Sequence, residues 1–323
     1  MAHVIGVDLG GTKIASVVYD TETQKVVNQK TIPTEAHNGP DAVIERIASL
    51  TRDLSDSKES TEKIYAVGVG VPGVIDYDEG LIMMIPNLPG DWDRKPIESD
   101  LEKLLDMPVW LINDARAFTL AEANIGAGKG SPIVACFTLG TGIGGGIAIN
   151  GEILLGVDGA AGEFGHMCID FNGLPDGSGT PGGMESFGSG PAITALGAKA
   201  VIQGVTTKIG ELVDFDVNKI TPRIVMQAAQ DGDELAKSIL DYAGKCIGVG
   251  IANVLTILNP HCVVLGGGVL HLGDWIMNPL REALKQYSNA ANVDRLKLVK
   301  AELGDDAGAI GAALWAYQRT NAK

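Results

Sequence analysis

Two short glycine-rich segments carry hydrogen-bond donors of the kind that bind phosphate groups. Glycine leaves backbone N–H groups uncovered, and several such groups together form an anion-binding nest. Hydroxyl and ammonium groups add further donors in the two segments, which are Gly10, Gly11, Thr12 and Lys13, and Gly140, Thr141 and Gly142. Just before the first segment, Asp8 could hold a magnesium ion through water, as this ion prefers, or simply stabilise the turn.

Amide, carboxylate and imidazole side chains occur at positions that suit acid–base chemistry or polar binding. Asn113 and Asp114 stand between an apolar strand and a helix. This position is typical of a helix N-cap, and it equally suits a carboxylate that acts as a general base. Glu163 and His166, three residues apart among glycines, could reach one polar ligand, and Glu185 follows in another glycine-rich stretch.

The sequence does not support either of two common nucleotide-binding motifs. The dinucleotide fingerprint G-x-G-x-x-G begins at Gly68, Gly140 and Gly177, but it is meaningful only between a strand and a helix. Residues 74–89 have no helical period, a strand follows the second match, and no strand precedes the third. The P-loop pattern G-x-x-x-x-G-K-[ST] is absent. We therefore expect neither a Rossmann dehydrogenase nor a Walker-type NTPase.

Composition limits the class of protein further. The net charge of −15 argues against nucleic-acid binding, which needs a basic surface, and 45% apolar residues suffice for a large core. The cysteines form no C-x-x-C pair, which fits a reducing cytosol; they are Cys136, Cys168, Cys246 and Cys262. No signal peptide is recognisable, and the uncharged run 132–150 is interrupted by glycines, which predicts a loop between two strands. We expect a cytoplasmic protein without nucleic-acid or membrane partners.

The predicted elements that position these residues include a repeat. Strands are predicted at 4–8 and 14–19 around the first glycine segment, and at 133–139 and 147–149 around the second, with Leu-Gly at 9–10 and 139–140. Two such units predict a duplicated two-domain architecture that directs both loops into one cleft, with chance recurrence as the alternative. Hydrophobic periodicity predicts further strands at 64–71, 109–112 and 262–265, helices at 41–54, 115–125, 233–258 and 274–287, and a loop at 53–63.

Together the motifs resemble the ROK family of bacterial sugar kinases and repressors, and within it the ATP-dependent glucokinases. The resemblance covers nearly the whole chain, and the order and spacing of the motifs are more specific than any one of them. The motifs are VDLGGTKI (7–14), GVGVPGVID (68–76), PNLPGDW (86–92), INDARA (112–117), TLGTGIGGGI (138–147), GEFGH (162–166), GGME (182–185), LGGGV (265–269) and DDAGAIGAA (305–313).

The resemblance implies a fold, a reaction and a set of site residues. The fold is an actin/hexokinase-like, ribonuclease H-like pair of α/β domains that closes on a sugar and Mg-ATP. Asp114 would be the general base that takes the proton from the 6-hydroxyl of glucose, giving glucose 6-phosphate. The other sugar ligands would be Gly73, Asn87, Asn113, Glu163, His166 and Glu185. Both glycine segments would bind phosphates, and Gly266, Gly267 and Gly268 would lie near the adenosine.

In one segment the chain departs from the family pattern, which has three cysteines that bind a structural zinc ion together with a histidine. Asp176, Ser178 and Gly183 stand where those cysteines belong. Structural zinc sites prefer thiolate and imidazole ligands, so we expect no zinc. A backbone carbonyl or a carboxylate would then orient His166 instead.

The sequence also predicts domain limits, and it leaves several alternatives open. We expect a small α/β domain at 1–113, with the C-terminal helix 306–320 packed on it, and a larger α/β domain at 114–305. Because the first strand begins at Val4, no helix-turn-helix is expected. The alternatives are a kinase for N-acetylglucosamine, N-acetylmannosamine or fructose, and a non-catalytic sugar-sensing protein. We expect a glycolytic enzyme that is a homodimer or homotetramer.

Overall fold

A computed structural model describes residues 3–56, 63–86 and 88–321 of the chain. The chain divides into two compact units. The first unit comprises Met1–Val134, Gly146–Ala161 and Ala301–Lys323, and the second comprises Ala135–Gly145 and Gly162–Lys300. Asn87, which the resemblance implies as a sugar ligand, and most of the predicted loop 53–63 lie outside the described residues.

The first unit is built on a five-stranded sheet. The strands and helices of this part of the chain are β1 (His3–Leu9), β2 (Lys13–Asp20), β3 (Lys25–Pro33), α1 (Pro40–Ser55), β4 (Ile64–Val71), β5 (Val74–Asp76), β6 (Leu81–Met84), α2 (Ile97–Leu105), β7 (Val109–Asn113) and α3 (Asp114–Asn124). The order of the strands in the sheet is β3-β2-β1-β4-β7. Strand β2 pairs antiparallel with β1 and β3, whereas β1, β4 and β7 are parallel neighbours.

Helices cover both faces of this sheet because successive strand residues point to opposite sides. Ile5 of β1 belongs to an apolar cluster with residues of α1 and α2. Its neighbour Val4 belongs to a second cluster, formed with α3 and with α10 (Ala307–Asn321). The parallel register places Asp8 opposite Gly70, and Gly70 opposite Ile112. The carboxyl ends of β1 and β7, with Asp8 and Asn113, therefore lie at the same edge of the sheet.

Helix α10 packs against the sheet at distances that exclude side chains. A Cβ atom on Gly6 of β1 would lie 1.8 Å from the carbonyl oxygen of Ala309, and one on Gly68 of β4 would lie 1.8 Å from that of Ala312. On the opposite side of the helix, a Cβ on Gly311 would lie 1.8 Å from the Ala117 oxygen in α3. Only glycine fits at these three positions, because the backbones of neighbouring elements are in contact there and leave no room for a Cβ atom.

The second sheet repeats the arrangement of the first. Its strands are β8 (Ile133–Leu139), β9 (Ile143–Ile149), β10 (Glu152–Ile153), β11 (Cys262–Gly266) and β12 (Lys297–Lys300). Their order is β10-β9-β8-β11-β12, so the central strand β8 has its hairpin partner and an edge strand on one side and two further strands on the other, as β1 has in the first sheet. Strands β9 and β10 are antiparallel, and β11 and β12 are parallel.

The second unit is rich in helices, and the longest pair packs through glycines. A Cβ on Gly248 of α8 would lie 2.4 Å from the Leu280 oxygen of α9. Asp233 caps α8 by accepting the N–H of Ala236 at 2.8 Å, and Asn259 ends it in the left-handed conformation. The helices are α4 (Glu185–Gly188), α5 (Gly190–Ile202), α6 (Lys208–Glu211), α7 (Pro222–Gln230), α8 (Glu234–Leu258) and α9 (Asp274–Tyr287).

The predicted duplicated hairpins are confirmed, with one correction. Three residues connect β1 to β2 and three connect β8 to β9. The second connection is the glycine segment 140–142, and the first is the segment 10–13 without Lys13, which begins β2. However, β9 begins at Ile143, four residues before the predicted start. Neighbouring atoms lie too close to some of its glycines to leave room for a side chain. A Cβ on Gly145, for example, would lie 2.8 Å from the Cys136 oxygen. The predicted run 132–150 is thus two strands and a turn.

The predicted helices are confirmed to within one or two residues, the last one included. Helix α10 begins at Ala307, after a 3-10 turn at Gly304–Asp306, so Asp306 precedes the helix. Helix α1 extends to Ser55, slightly into the segment that we predicted as a loop. In the part of the chain that the structure describes, no helix combines the length and the apolar character needed to cross a membrane.

The compact units divide the chain at positions other than the predicted domain limits. We predicted a boundary between 113 and 114, but α3 lies in the first unit, where it packs against α10. The C-terminal helix belongs to the first unit as well. The division into folding domains at 1–113 and 114–305 therefore stays a prediction.

Replacing Gly68 with alanine tests the close contact between β4 and α10. The methyl group of Gly68→Ala must displace the backbone of α10. We therefore expect the free energy of unfolding to fall by about 3 kcal/mol and Tm to fall by about 5 °C or more. The matched control is Gly268→Ala, where a Cβ meets no heavy atom within 4 Å and φ lies outside the left-handed region. Equal Tm values for the two variants would contradict the packing.

Candidate functional site

The predicted site residues lie in two groups, one in each unit. The first unit holds Asp8, the segment 10–13, Gly73, Asn113 and Asp114. The second unit holds the segment 140–142, Glu163, His166, Glu185 and the glycines at 266–268.

The first glycine segment forms the tight turn between β1 and β2. The N–H of Gly10 donates to the Lys13 oxygen at 2.9 Å, and the Thr34 hydroxyl donates to the Gly10 oxygen at 2.7 Å. Gly11, Thr12 and Lys13 are exposed. The Lys13 ammonium group pairs with the Asp305 carboxylate at 3.1 Å, and both side chains remain largely exposed. The turn is fixed at its base, and its tip presents backbone and side-chain donors.

Asp8 lies at the end of β1, against the beginning of α10. A Cβ on Gly308 would lie 2.7 Å from an Asp8 carboxylate oxygen, so the carboxylate sits close to the first turn of that helix. Burial, and next the nearby Asp114 charge, raise the pKa of Asp8 from 3.8 to about 7, although Lys13 acts in the opposite direction. A cation beside this carboxylate would favour its charged form.

Asn113 forms the N-cap of α3 and connects several parts of the first unit. Its side-chain oxygen accepts the N–H groups of Ala115 at 3.0 Å and Arg116 at 3.3 Å. Its amide nitrogen donates to the Gly73 oxygen at 3.1 Å, and its backbone N–H donates to the Tyr77 hydroxyl at 3.2 Å. The N-cap interpretation is therefore confirmed, while the role of Asn113 as a sugar ligand stays a prediction.

Asp114 is the first residue of α3. One of its carboxylate oxygens accepts the Ala115 N–H at 2.8 Å. This hydrogen bond fixes the position of the carboxylate in the first turn of the helix. The geometry suits a base that orients and deprotonates a hydroxyl group.

Gly73 is held in a conformation that only glycine adopts easily. Its φ is +99°, and a Cβ there would lie 2.0 Å from the Met84 oxygen. The structure brings its carbonyl group to Asn113, so these two predicted ligands are neighbours.

Arg116 is a residue that the sequence reasoning did not single out. It is 2% exposed, and its guanidinium donates to the Asn113 oxygen at 2.9 Å and to the Ala161 oxygen at 3.3 Å. A charged residue on the buried side of a short helix next to Asp114 is the sequence signal that could have identified it. It fixes the same amide oxygen that caps the helix.

In the second unit, Glu185 joins the second glycine segment to the predicted sugar ligands. One of its carboxylate oxygens accepts the Ile143 N–H at 2.7 Å. A Cβ on Gly142 would lie 2.5 Å from the same oxygen, so glycine is needed there for the carboxylate to approach. Gly140 donates to the Gly142 oxygen at 2.9 Å and closes the turn. The carboxylate and the glycine segment thus form one assembly.

The third glycine segment follows β11 and lies beside the end of β8. Gly267 has a φ of +96°, and a Cβ there would lie 2.3 Å from the Leu139 oxygen, next to Gly140. Gly267 and Gly268 are exposed, whereas Gly266 is buried at the end of the strand. The structure therefore brings the second and third segments together within this unit.

Glu163 precedes a 3-10 turn, Phe164–His166, and His166 is its last residue. The Phe164 ring stacks on Phe137 of β8 with 4.5 Å between the ring centroids, which anchors the turn. The His166 Nδ1 donates to a carboxylate oxygen of Asp176 at 2.8 Å. The prediction that a carboxylate or a carbonyl group orients this ring is confirmed, and the partner is a carboxylate.

The residues near His166 do not fit a structural zinc ion. Such an ion takes four nitrogen or sulfur ligands in a closed tetrahedron. The carboxylate of Asp176 is occupied by hydrogen bonds, the Ser178 hydroxyl donates to it at 2.6 Å, and Gly183 has no side chain. Across 3–56, 63–86 and 88–321, no group of three or more His, Cys, Asp and Glu side chains is placed to hold a metal ion.

Comparison with known proteins identifies the family. The profile of the ROK family matches residues 4–319. A glucokinase of Thermotoga maritima is 36% identical over 313 residues, which cover 96% of each chain. The crystal structure of a ROK hexokinase from Thermus thermophilus matches with a TM-score of 0.86 and 33% identity, over 98% of this chain and 99% of that one.

A ROK family glucokinase from Streptomyces griseus, solved in complex with glucose and AMPPNP, matches with a TM-score of 0.77 and 31% identity. That match covers 98% of this chain and 99% of the other. The chain belongs to the ROK family, and the predicted actin/hexokinase-like two-domain α/β fold is confirmed. Other matched proteins are named xylose repressor and N-acetyl-D-glucosamine kinase, so the family alone does not fix the substrate.

The raised pKa of Asp8 predicts how stability depends on pH. Between about pH 4 and pH 7 the native chain keeps a proton that the unfolded chain has released, so wild-type stability falls as pH rises through this range. Asp8→Asn has no carboxyl group to titrate, so its stability should not fall in this way. Without divalent cations we expect its free energy of unfolding to exceed that of the wild type by on the order of 2–4 kcal/mol at pH 8, and by less at pH 5.

Thermal unfolding in a chelator at both pH values measures this gain. The control is Asp93→Asn, which removes an exposed carboxylate of the same unit. A difference between Asp8→Asn and wild type that is the same at pH 5 and pH 8 would show that the Asp8 carboxyl is not protonated in the native chain.

Proposed function

We propose that this chain transfers the γ-phosphoryl group of Mg-ATP to the 6-hydroxyl of glucose. It is a ROK hexose kinase, as its family and its glucokinase relatives support. The observation that carries the specific reaction is the fixed position of Asp114 at the start of α3, beside the cap formed by Asn113. Phosphoryl transfer requires mainly positioning and charge neutralisation, together with one residue that orients the nucleophile.

Asp114 acts as the base in this proposal. Its carboxylate accepts the proton of the 6-hydroxyl as the oxygen attacks the γ-phosphorus and the bond from that phosphorus to the bridging oxygen of ADP breaks. The Ala115 N–H holds one carboxylate oxygen at 2.8 Å, so little reorganisation is needed when the substrate binds.

Sugar recognition is assigned to Gly73, Asn113, Glu163, His166 and Glu185. Hydroxyl groups of a sugar both donate and accept, and a set of carboxylate, imidazole and amide groups can satisfy both roles. Glu185 already accepts the Ile143 N–H with one oxygen, which fixes the carboxylate relative to the glycine segment. A site that hydrogen-bonds each hydroxyl rejects sugars that lack one.

Nucleotide binding is assigned to the glycine segments at 10–13, 140–142 and 266–268. The exposed members of these segments supply the donors for phosphate, and they are Gly11, Thr12, Lys13, Thr141, Gly267 and Gly268. The Lys13 ammonium group adds a positive charge in a chain with a net charge of −15. A glucokinase relative was crystallised with AMPPNP, which supports ATP as the donor.

Magnesium is assigned to Asp8. Its carboxylate is a hard oxygen ligand, and the neighbouring Asp114 charge that helps to raise its pKa would be offset by a bound cation. When bound, magnesium supplies charge neutralisation at the phosphates. Because few protein ligands are available, the ion would be held largely through water and phosphate oxygens.

The cellular setting belongs to the same proposal. A role in glycolysis, a cytoplasmic location and assembly as a homodimer or homotetramer fit a hexose kinase. The four cysteines form no disulfide bond with one another, which suits a reducing compartment.

The proposed reaction is tested with a panel of sugars and Mg-ATP, with ADP release as the readout. Glucose is expected to give the highest kcat/KM. A higher value for N-acetylglucosamine, N-acetylmannosamine or fructose would assign another hexose kinase. A sugar that raises Tm by mass action without ADP release would indicate a sugar sensor. Replacing ATP with polyphosphate, with formation of the sugar 6-phosphate as the readout, tests the donor.

Asp114→Asn should lower kcat by about 10²–10⁴, because a positioned general base contributes that much. The variant keeps the size of the side chain and can still accept the Ala115 N–H, so the dissociation constant for glucose, measured by calorimetry, should change little. Asp78→Asn, in which an exposed carboxylate is removed, serves as the control. Turnover near that of the wild type in Asp114→Asn would remove this residue from the mechanism.

A further inference from the structure

The contact between His166 and Asp176 pairs an accessible ring with a buried carboxylate. The ring nitrogen Nδ1 lies 2.8 Å from an Asp176 oxygen. The Asp176 side chain is fully buried at 0% exposure, whereas the His166 side chain is 34% exposed. One edge of the imidazole is therefore held from within the fold, and part of the ring remains accessible to a ligand.

The second oxygen of the same carboxylate is also occupied. It accepts the backbone N–H of Ser178 at 2.8 Å, the Ser178 hydroxyl at 2.6 Å and the backbone N–H of Thr180 at 3.0 Å. Burial alone would raise the pKa of Asp176, but the hydrogen bonds from Ser178, His166 and Thr180 together lower it. The carboxylate is thus charged near neutral pH, and an ionised carboxylate only accepts hydrogen bonds.

The charged partner determines which nitrogen of His166 carries the proton. Because the carboxylate can only accept, Nδ1 must donate and therefore holds the hydrogen. In the neutral ring the other nitrogen, Nε2, is then an acceptor. A ligand at the accessible edge of His166 meets a lone pair and must bring a donor.

Three residues act together to make this arrangement possible. Asp176 supplies the acceptor and Ser178 supplies donors to it. Gly183 leaves the necessary room, because a Cβ there would lie 2.1 Å from the Asp176 oxygen that binds His166. These are the positions where the resemblance implied zinc-binding cysteines. The replacements form a consistent hydrogen-bonded set that holds the ring without a metal.

We propose that Asp176 is a positioning residue that holds His166 in the Nδ1–H form, so that Nε2 accepts a hydrogen bond from a sugar hydroxyl group. The proposal rests on the proposed function only for the identity of the ligand. The tautomer and the absence of a metal can be measured on the protein alone.

Asp176→Asn should reverse the tautomer. The three donors from Ser178 and Thr180 will keep the amide oxygen in place of the carboxylate oxygen that they bind now. The amide nitrogen then faces Nδ1 and donates to it, so the proton moves to Nε2. His166 would present a donor where it now presents an acceptor, although the shape of the side chain is nearly unchanged.

The first measurement is the ¹⁵N NMR spectrum of the histidine side chains in the intact chain, with His166→Gln used to assign the His166 signals. The wild type should show a protonated Nδ1 and an unprotonated Nε2, and Asp176→Asn should show the opposite pattern. A protonated Nε2 in the neutral ring of the wild type would overturn the proposal, and this measurement needs no variant at position 176. About one zinc ion per chain by elemental analysis, lost in His166→Gln, would also overturn it.

The second measurement is steady-state kinetics with the preferred sugar. Asp176→Asn should raise the KM for the sugar about tenfold or more, the effect of one mismatched hydrogen bond, and change the KM for ATP less than twofold. Ser178→Ala removes one donor but leaves the carboxylate–imidazole contact, so its sugar KM should stay within about threefold of wild type. Asp170→Asn, an exposed aspartate of the same loop, is the control. Equal sugar KM values for Asp176→Asn and Asp170→Asn would contradict the proposal.

The two proposals fail in different ways. If no sugar is phosphorylated but His166 is protonated at Nδ1, the proposed function fails and the role of Asp176 in setting the ring stands. If a sugar is phosphorylated and His166 is protonated at Nε2, the inference about Asp176 fails and the kinase assignment stands.

Discussion

The side-chain amide of Asn113 is the interaction on which the proposed catalytic group of the first unit depends. Its oxygen accepts two N–H groups at the start of α3 and the buried guanidinium of Arg116, and its nitrogen donates to Gly73. The same residue ends β7, so one side chain fixes the angle at which the strand passes into the helix. Asp114 is placed at the helix start by this geometry. Asn113, which takes no part in the proton transfer itself, thereby determines where the base can act.

The second unit uses carboxylates in a similar way. Glu185 and Asp176 each accept backbone N–H groups with one oxygen, which fixes a loop, and the opposite oxygen of Asp176 holds His166. Each carboxylate needs a nearby glycine, Gly142 or Gly183, because a Cβ would occupy its place. The high glycine content is explained in part by these approaches and in part by the contact of α10 with the sheet. Phosphate binding therefore accounts for only some of the glycines that the sequence displays.

Much of the architecture could be predicted from the sequence because hydrophobic periodicity and glycine turns are local signals. The β1–β2 and β8–β9 hairpins, α1 and α9 were all predictable on that basis. Strand β3 was not, because it is an edge strand in which polar residues such as Asn28 and Lys30 replace the usual apolar run. Helix α2 follows a proline-rich stretch and is only nine residues long, so its pattern is short.

In the candidate site, too, some features could be predicted from local sequence signals and others could not. Asn113 and Asp114 were found from their place between a strand and a helix, and the N-cap alternative proved right for the first of them. The role of Asp176 could not be read from the sequence, because it depends on a turn at 176–180 and on pairing between the segments around Cys168 and Gly183. Contacts between residues that are distant in the chain carry this information, and spacing alone does not.

The most direct test of the central claim is to identify the product by ³¹P NMR. The purified chain is incubated with Mg-ATP and glucose, and the phosphorus signals are followed over time. The account predicts that the γ-phosphate signal of ATP decreases while ADP and a single phosphomonoester, glucose 6-phosphate, increase in equal amounts. Inorganic phosphate as the only product, or an unchanged ATP spectrum with every sugar supplied, would contradict it.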